Sequence, residues 1–432
     1  MLVLWLWPGA RWSTVSLCYA LVLALSVSGL RLCAWRSHAA CMIVLVAVTA
    51  LFIGVTVNVN YYTYGSGGSI THPMLRNSDA YRIWWAGVAL IAEDVHPSYY
   101  MAYPTWILLK LFGRDFFMAT VLQSSLFASL SLVVTGELAW QLTRRRDVAL
   151  GAMLGMSLMC YFMVQGTLLI KDDALVLGMG LAALGIVRLC RCRGAGDAAS
   201  WLPALAGVAL MFYRPNFLLF IVLGAVIFGL RRRPDLRLAA LSVIAVAVWI
   251  VIVSNIDNPD PVKMAASSER AHVMNTHTSP WDDFIGYYPA LSVLRKLVLL
   301  PASVAVQFLI PFPWNYGRDM IFGPTLAVAH FGYTWYLAGG VFLYWLFGRF
   351  RRSPVEMRLL AIWYILMYAG TAFGYSGRVS RYCLPYLPLI IPIVSCTVID
   401  CWRSRRFITW MGVFAALMTV TLLVCHSIHT GR

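Results

Sequence analysis

Apolar residues in this chain come in long blocks, roughly 17–25 residues each, separated by short stretches rich in arginine. A block of that length is what a helix needs to cross the hydrocarbon core of a bilayer. The blocks fall at about 15–32, 39–59, 117–142, 148–166, 174–190, 201–213, 215–230, 236–254, 325–347, 358–376, 382–399 and 407–426, two of them short. A further apolar stretch, 297–312, is interrupted by Pro301 and Pro311 and reads as re-entrant or interfacial. The expected fold class is therefore all-α: a polytopic membrane protein with about 11–13 transmembrane helices, and with interfacial helices in its first large outer loop. Composition agrees, because 60% of the chain is hydrophobic and only 12% is charged. An ordinary soluble domain carries about 25% charged residues. A disordered chain, a nucleic-acid-binding tail and a normal soluble enzyme are excluded on that ground. The first block does not read as a signal peptide, since Arg31 and Arg36 follow it without a small-residue cleavage pattern.

The net charge of +16 follows the blocks. Nineteen arginines lie in six short connections, around positions 31–36, 144–146, 188–193, 231–237, 349–358 and 403–406. By the positive-inside tendency these connections are expected to be cytoplasmic. The alternation that results puts the N-terminus outside and places both long segments, about 60–116 and 255–324, on the outer face. Twelve of the 18 acidic residues fall on that outer side, which makes carboxylates a short list to search for chemistry. The cytoplasmic connections are too short to form a domain, and none carries a phosphate-binding glycine loop. A cytosolic nucleotide is thus not expected as donor or energy source. The ten cysteines lie mostly inside apolar blocks and read as small core or lipid-facing residues. Cys190 and Cys192 form a C-x-C rather than the C-x-x-C of a redox or zinc site.

Four polar features stand out. Asp79 precedes a stretch with helical apolar spacing (Ile83, Trp84, Val88, Ile91) that should lie at the interface. It is either the cap of that helix or a carboxylate facing a cavity. Lys171-Asp172-Asp173 opens the block at 174–190. The acids either favour the helix start through its dipole or place charge against a substrate or metal, with Lys171 the nearest cation. Arg214, in Tyr213-Arg214-Pro215, joins two short blocks. An arginine there faces either a carboxylate of the protein or an anion in a polar cavity. Arg378 and Arg381 lie three apart at an outer helix end, where they suit lipid headgroups or a phosphate-bearing substrate.

In this order and sidedness, the motifs resemble those of the integral-membrane glycosyltransferases of the GT-C superfamily, among them protein O-mannosyltransferases and lipid A aminoarabinose transferases. The resemblance rests on Asn77-Ser78-Asp79-Ala80-Tyr81, Lys171-Asp172-Asp173-Ala174-Leu175, Tyr213-Arg214-Pro215, the large segment 255–324, and Arg381-Tyr382-Cys383-Leu384-Pro385. It covers about residues 40–400. Ala80 follows Asp79 where many members carry a second acid, leaving Asp79 the sole candidate at that place. The organisation implied is an extra N-terminal helix and turn over 1–38, a core module over 39–254 that includes the outer loop 60–116, a large outer loop over 255–324, and C-terminal helices over 325–432.

The resemblance implies a polyprenyl-phosphate sugar as donor and a glycan, lipid or protein as acceptor, with inversion at the anomeric carbon. Asp79 would be the catalytic base. Lys171, Asp172, Asp173, Arg214, Arg378, Arg381 and Tyr382 would bind substrate. A divalent metal, if one is used, would fall to Asp79, Asp172 and Asp173. A polysaccharide polymerase or ligase, or a flippase or transporter for a lipid-linked sugar, is the alternative. A carrier should show internal repeats, and none is evident. Only four lysines (Lys110, Lys171, Lys263, Lys296) and no sorting signal favour a bacterial inner membrane.

Overall fold

The computed structural model describes residues 12–64, 106–107, 110, 121–159, 162–163, 172–191, 198–211, 217–232, 291–309, 324–375 and 384–430. The regular elements among these residues are all helical. They are α1 (Trp12–Arg31), α2 (His38–Tyr64), a π-helical turn (Val121–Ser125), α3 (Leu126–Thr143), α4 (Arg146–Ser157), α5 (Asp172–Arg191), α6 (Ala198–Met211), α7 (Leu218–Arg232), α8 (Val293–Leu309), α9 (Pro324–Gly348), a 3₁₀ turn (Phe350–Arg352), α10 (Val355–Tyr375), α11 (Leu387–Cys401) and α12 (Arg405–Thr430). Four stretches among the described residues are long and apolar enough to cross a bilayer: Gln123–Thr143, Asp172–Arg191, Leu384–Cys401 and Arg405–Val424. An all-helical protein of this kind is compatible with a membrane protein. The expected block at 236–254 lies outside the described residues, as does most of both long segments.

The chain forms two compact units, one comprising Met1–Leu218 with Leu387–Ile399, the other Leu219–Tyr386 with Asp400–Arg432. In the first unit the α1–α2 hairpin packs on α3 and α4 through Val22, Leu30, Trp35, Val44, Val48, Val133 and Met153. Gly136 permits this, since a Cβ there would come within 2.7 Å of the Trp35 ring. α5 and α6 run antiparallel in close contact. A Cβ on Gly207 would meet the Ala182 nitrogen at 2.5 Å, and one on Gly185 would meet the Ala204 nitrogen at 2.5 Å. Small residues spaced three or four apart let two helices approach backbone to backbone, which is how apolar helices associate where lipid removes the hydrophobic drive. α3 runs parallel to α5, with Val134 against Gly180, and Pro388 at the start of α11 packs on the same glycine. α11 then descends antiparallel to α4, placing Ile391 and Ile399 over Gly155 and Gly151.

α4 is shorter than its apolar block. It ends at Ser157 rather than near 166. Its last turn is closed by Leu158 N–H donating to the Leu154 carbonyl at 2.9 Å, which also accepts the Ser157 hydroxyl at 2.8 Å. At the junction of α3 and α4, Arg144 takes a left-handed conformation (φ 57°). Glycine is the usual residue there, and a side chain costs about 1 kcal/mol.

In the second unit, Trp363 of α10 donates to the Phe220 carbonyl of α7 at 2.7 Å and lies over Gly224. Trp410 of α12 donates to the Gly340 carbonyl of α9 at 2.9 Å. α8 is continuous through Pro301, which the sequence suggests as a break. It lies antiparallel to α10, with Ser303 donating to the Ala372 carbonyl at 2.6 Å and Gln307 to the Tyr368 carbonyl at 3.5 Å. Its last carbonyl, on Leu309, accepts the Tyr336 hydroxyl at 2.6 Å. Tyr336 is twelve residues into α9, about 18 Å along that helix. α8 therefore ends beside the middle of α9.

Candidate functional site

Of the sequence-derived site residues, the structure describes Asp172 and Asp173. Asp79, Lys171, Arg214, Arg378, Arg381 and Tyr382 lie outside the described residues. The two aspartates open α5 and both are buried, at 1% and 0% exposure. Negative charge at a helix start is favoured by the dipole, but Asp173 is not a hydrogen-bonded cap. Neither of its carboxylate oxygens has a hydrogen-bond partner among the described residues. A buried carboxylate without a partner is expensive, and it calls for a cation or a polar ligand.

The register of the helices gathers other features at this end of the first unit. α6 packs antiparallel on α5 and ends at Met211. α11 begins at Leu387, and its Pro388 packs beside Gly180 of α5. α3, parallel to α5, starts from the π-helical turn that carries Gln123, Ser124 and Ser125. All three are buried, and the Ser124 hydroxyl has no hydrogen-bond partner among the described residues. Single π turns inside helices often mark functional sites. Sequence reasoning missed this one by reading 117–142 as a uniform apolar block; the signal available was three consecutive polar residues within it.

The other end of the first unit is basic. α5 runs 20 residues from its acids to Arg188 and Arg191, about 30 Å and so the thickness of a hydrocarbon core. There Glu137 of α3 accepts three hydrogen bonds: from Trp35 at 2.8 Å, Gln141 at 2.7 Å and Arg188 at 2.7 Å. Arg188 also donates to the Ala199 carbonyl at 2.9 Å, and Arg191 donates to the Gln141 carbonyl. In the turn between α1 and α2, burial and the neighbouring Glu137 push the Cys33 thiol up to about 12. In the second unit Arg349 pairs with Asp400 at 3.0 Å, which brings two more arginine-rich connections together.

Among the described residues, no group of three His, Cys, Asp or Glu is placed to hold a metal. The described cysteines Cys18, Cys33, Cys41, Cys190, Cys396 and Cys401 are all thiols.

Among the described residues, fold and site define a helical protein with helices of membrane-crossing length, and with an acidic pair buried at the opposite end of α5 from Arg188 and Arg191. Comparison with protein-family models, with curated proteins and with solved structures finds no match for the chain.

Proposed function

We propose that this chain is a polytopic membrane glycosyltransferase of about 11–13 spans, moving a sugar from a polyprenyl phosphate to a hydroxyl acceptor on the face opposite its arginine-rich turns. The observation that carries this reading is the buried Asp172–Asp173 pair, with the Asp173 carboxylate lacking a hydrogen-bond partner among the described residues. Ionisable groups inside apolar helices are retained for ligands or partners. A carboxylate accepts hydrogen bonds only, so a polyhydroxylated ligand suits it. The buried serines of the π-helical turn add donors at the same end.

In this reading Asp79 takes the proton of the acceptor hydroxyl. The acceptor oxygen bonds to the anomeric carbon as the bond from that carbon to the phosphate oxygen breaks. The electron pair leaves with the polyprenyl phosphate, and the configuration inverts. Arg378 and Arg381 stabilise the leaving phosphate, with Arg214 assisting. Asp172 and Asp173 orient sugar hydroxyls, Lys171 balances their charge, and Tyr382 lines the donor site. The arginine-rich turns mark the cytoplasmic side, so that transfer occurs on the outer face of a bacterial inner membrane.

The test is to incubate purified protein with radiolabelled polyprenyl-phosphate sugars and an acceptor extract. One donor should be consumed, with polyprenyl phosphate released. Asp79→Asn should abolish consumption and Asp173→Asn should reduce it at least tenfold, both without loss of folded protein in detergent. Failure of the wild-type protein to consume any such donor, or full activity in Asp79→Asn, refutes the proposal.

A further inference from the structure

The arginine end of the first unit holds a patch that the catalytic reading does not use. Arg31, which ends α1, and Arg36, in the turn after it, lie beside Arg146 at the α3–α4 junction, two residues from Arg144. Arg146 donates to the Arg36 carbonyl at 3.5 Å, and Arg36 donates to the Arg31 carbonyl at 3.0 Å. Residues more than a hundred positions apart thus form one cationic surface. All four side chains are exposed. The nearby Asp147 is engaged by Arg145 at 2.7 Å, and among the described residues none of the four arginines has a carboxylate partner.

Two further observations point to what sits there. Arg144 occupies a left-handed position that glycine fills without strain, so the chain bears a small backbone cost where it places this charge. The patch also continues into an apolar track. Leu17, Leu21 and Leu25 are exposed at one-turn spacing along α1, and Leu32, 89% exposed, lies between Arg31 and Arg36. Guanidinium groups match phosphate oxygens in geometry, and exposed leucines leading away from them match an acyl chain.

We propose that this surface is a binding site for the headgroup of an anionic phospholipid in the leaflet on the arginine side, with one acyl chain laid along α1. An acidic peptide would use the charge but not the track. Each basic residue at a membrane surface strengthens attachment to anionic lipid by about fivefold.

The experiment is native mass spectrometry of the full-length protein in neutral detergent, titrated with phosphatidylglycerol or phosphatidylcholine. Phosphatidylglycerol should bind at least tenfold more tightly. Arg31→Gln/Arg36→Gln/Arg146→Gln should remove that preference, while Arg405→Gln/Arg406→Gln should leave it in place. Arg144→Gly, which relieves the backbone while removing one charge, should weaken phosphatidylglycerol about fivefold in a protein at least as heat-resistant as wild type; it tests the site even if the triple variant fails to fold. Equal affinity for the two lipids, or an undiminished preference in Arg144→Gly, overturns the proposal. So does displacement of the lipid by millimolar inorganic phosphate, which would mark a site for free anions.

Discussion

Removing Glu137 should loosen the first unit more than any other single truncation at its basic end. The carboxylate is 8% exposed and its partner Arg188 is 25% exposed. Glu137→Ala deprives Arg188 of its counter-ion and the Trp35 indole N–H of its acceptor. Breaking a buried pair from one side costs about 3–5 kcal/mol, and a stranded N–H adds about 1–3 kcal/mol. Arg188 keeps the Ala199 carbonyl and partial access to water, so the expected loss lies at the low end, about 3 kcal/mol. Arg188→Met leaves Glu137 with two donors, Trp35 and Gln141, and should cost less, about 2 kcal/mol. Glu137→Ala/Arg188→Met removes both charges together and leaves neither stranded, so it should cost less than the sum of its single substitutions. The assay is equilibrium unfolding in mixed micelles of mild detergent and dodecyl sulfate, followed by helical circular dichroism. A coupling of about 1–2 kcal/mol between the two sites is expected. Strict additivity would show that the pair is incidental and refute the reasoning.

Three shorter predictions follow. Gly207→Leu should separate α5 from α6, because even a Cβ at that position would lie 2.5–2.6 Å from the backbone of α5; loss of folded protein on gel filtration checks this, and Gly412→Leu, with open space around it, should be tolerated. Cys33 should resist alkylation in native protein at pH 8, because its thiol is held up to about 12, whereas the exposed Cys41 reacts. With an ordinary value near 9 in the unfolded chain, the Cys33 contribution to stability is full below pH 9 and is lost as pH rises toward 12; mass spectrometry after pulsed alkylation, and melting at pH 8 and 11, measure the two effects. If α8 is re-entrant, single cysteines replacing Ser292 and Thr325 in a background without other reactive thiols should label from the same side of sealed vesicles; labelling from opposite sides would make α8 a full crossing.

How much of this was legible in the sequence depended on whether the constraint was local. Helix positions were: His38–Tyr64 and Pro324–Gly348 lie within a few residues of their apolar blocks, because bilayer thickness sets the length of apolar sequence a helix needs. The acidic start of α5 was visible for the same reason, as charge at the edge of a block. The early end of α4, at Ser157 inside an apolar block, was not, because no charge or proline marks it. Pro301 looks like a break in sequence, yet it lies inside α8, where apolar surroundings and neighbouring groups tolerate it. The Glu137–Arg188 pair was out of reach. Its residues are 51 positions apart, and they meet only because α3 and α5 run parallel in one register.

That parallel register also bears on what the N-terminal hairpin does. The resemblance makes residues 1–38 an addition to a core, yet Trp35 in this hairpin reaches the same carboxylate that receives Arg188. One end of α5 is thereby tied to α1, α2 and α3, while its other end carries the two buried aspartates. A helix is stiff over 20 residues, so a shift at Arg188 is transmitted to Asp173 rather than absorbed between them. In the proposed enzyme, the hairpin therefore acts as a brace for the acidic pair. Trp35→Phe keeps the ring packed on Gly136 and removes only the hydrogen bond to Glu137, which a neutral donor to a carboxylate makes worth about 1.5–3 kcal/mol. If the brace matters for function, this substitution should lower sugar transfer through a raised KM while the protein remains folded at assay temperature. An unchanged KM, together with the expected loss of stability, would assign the hairpin to stability alone.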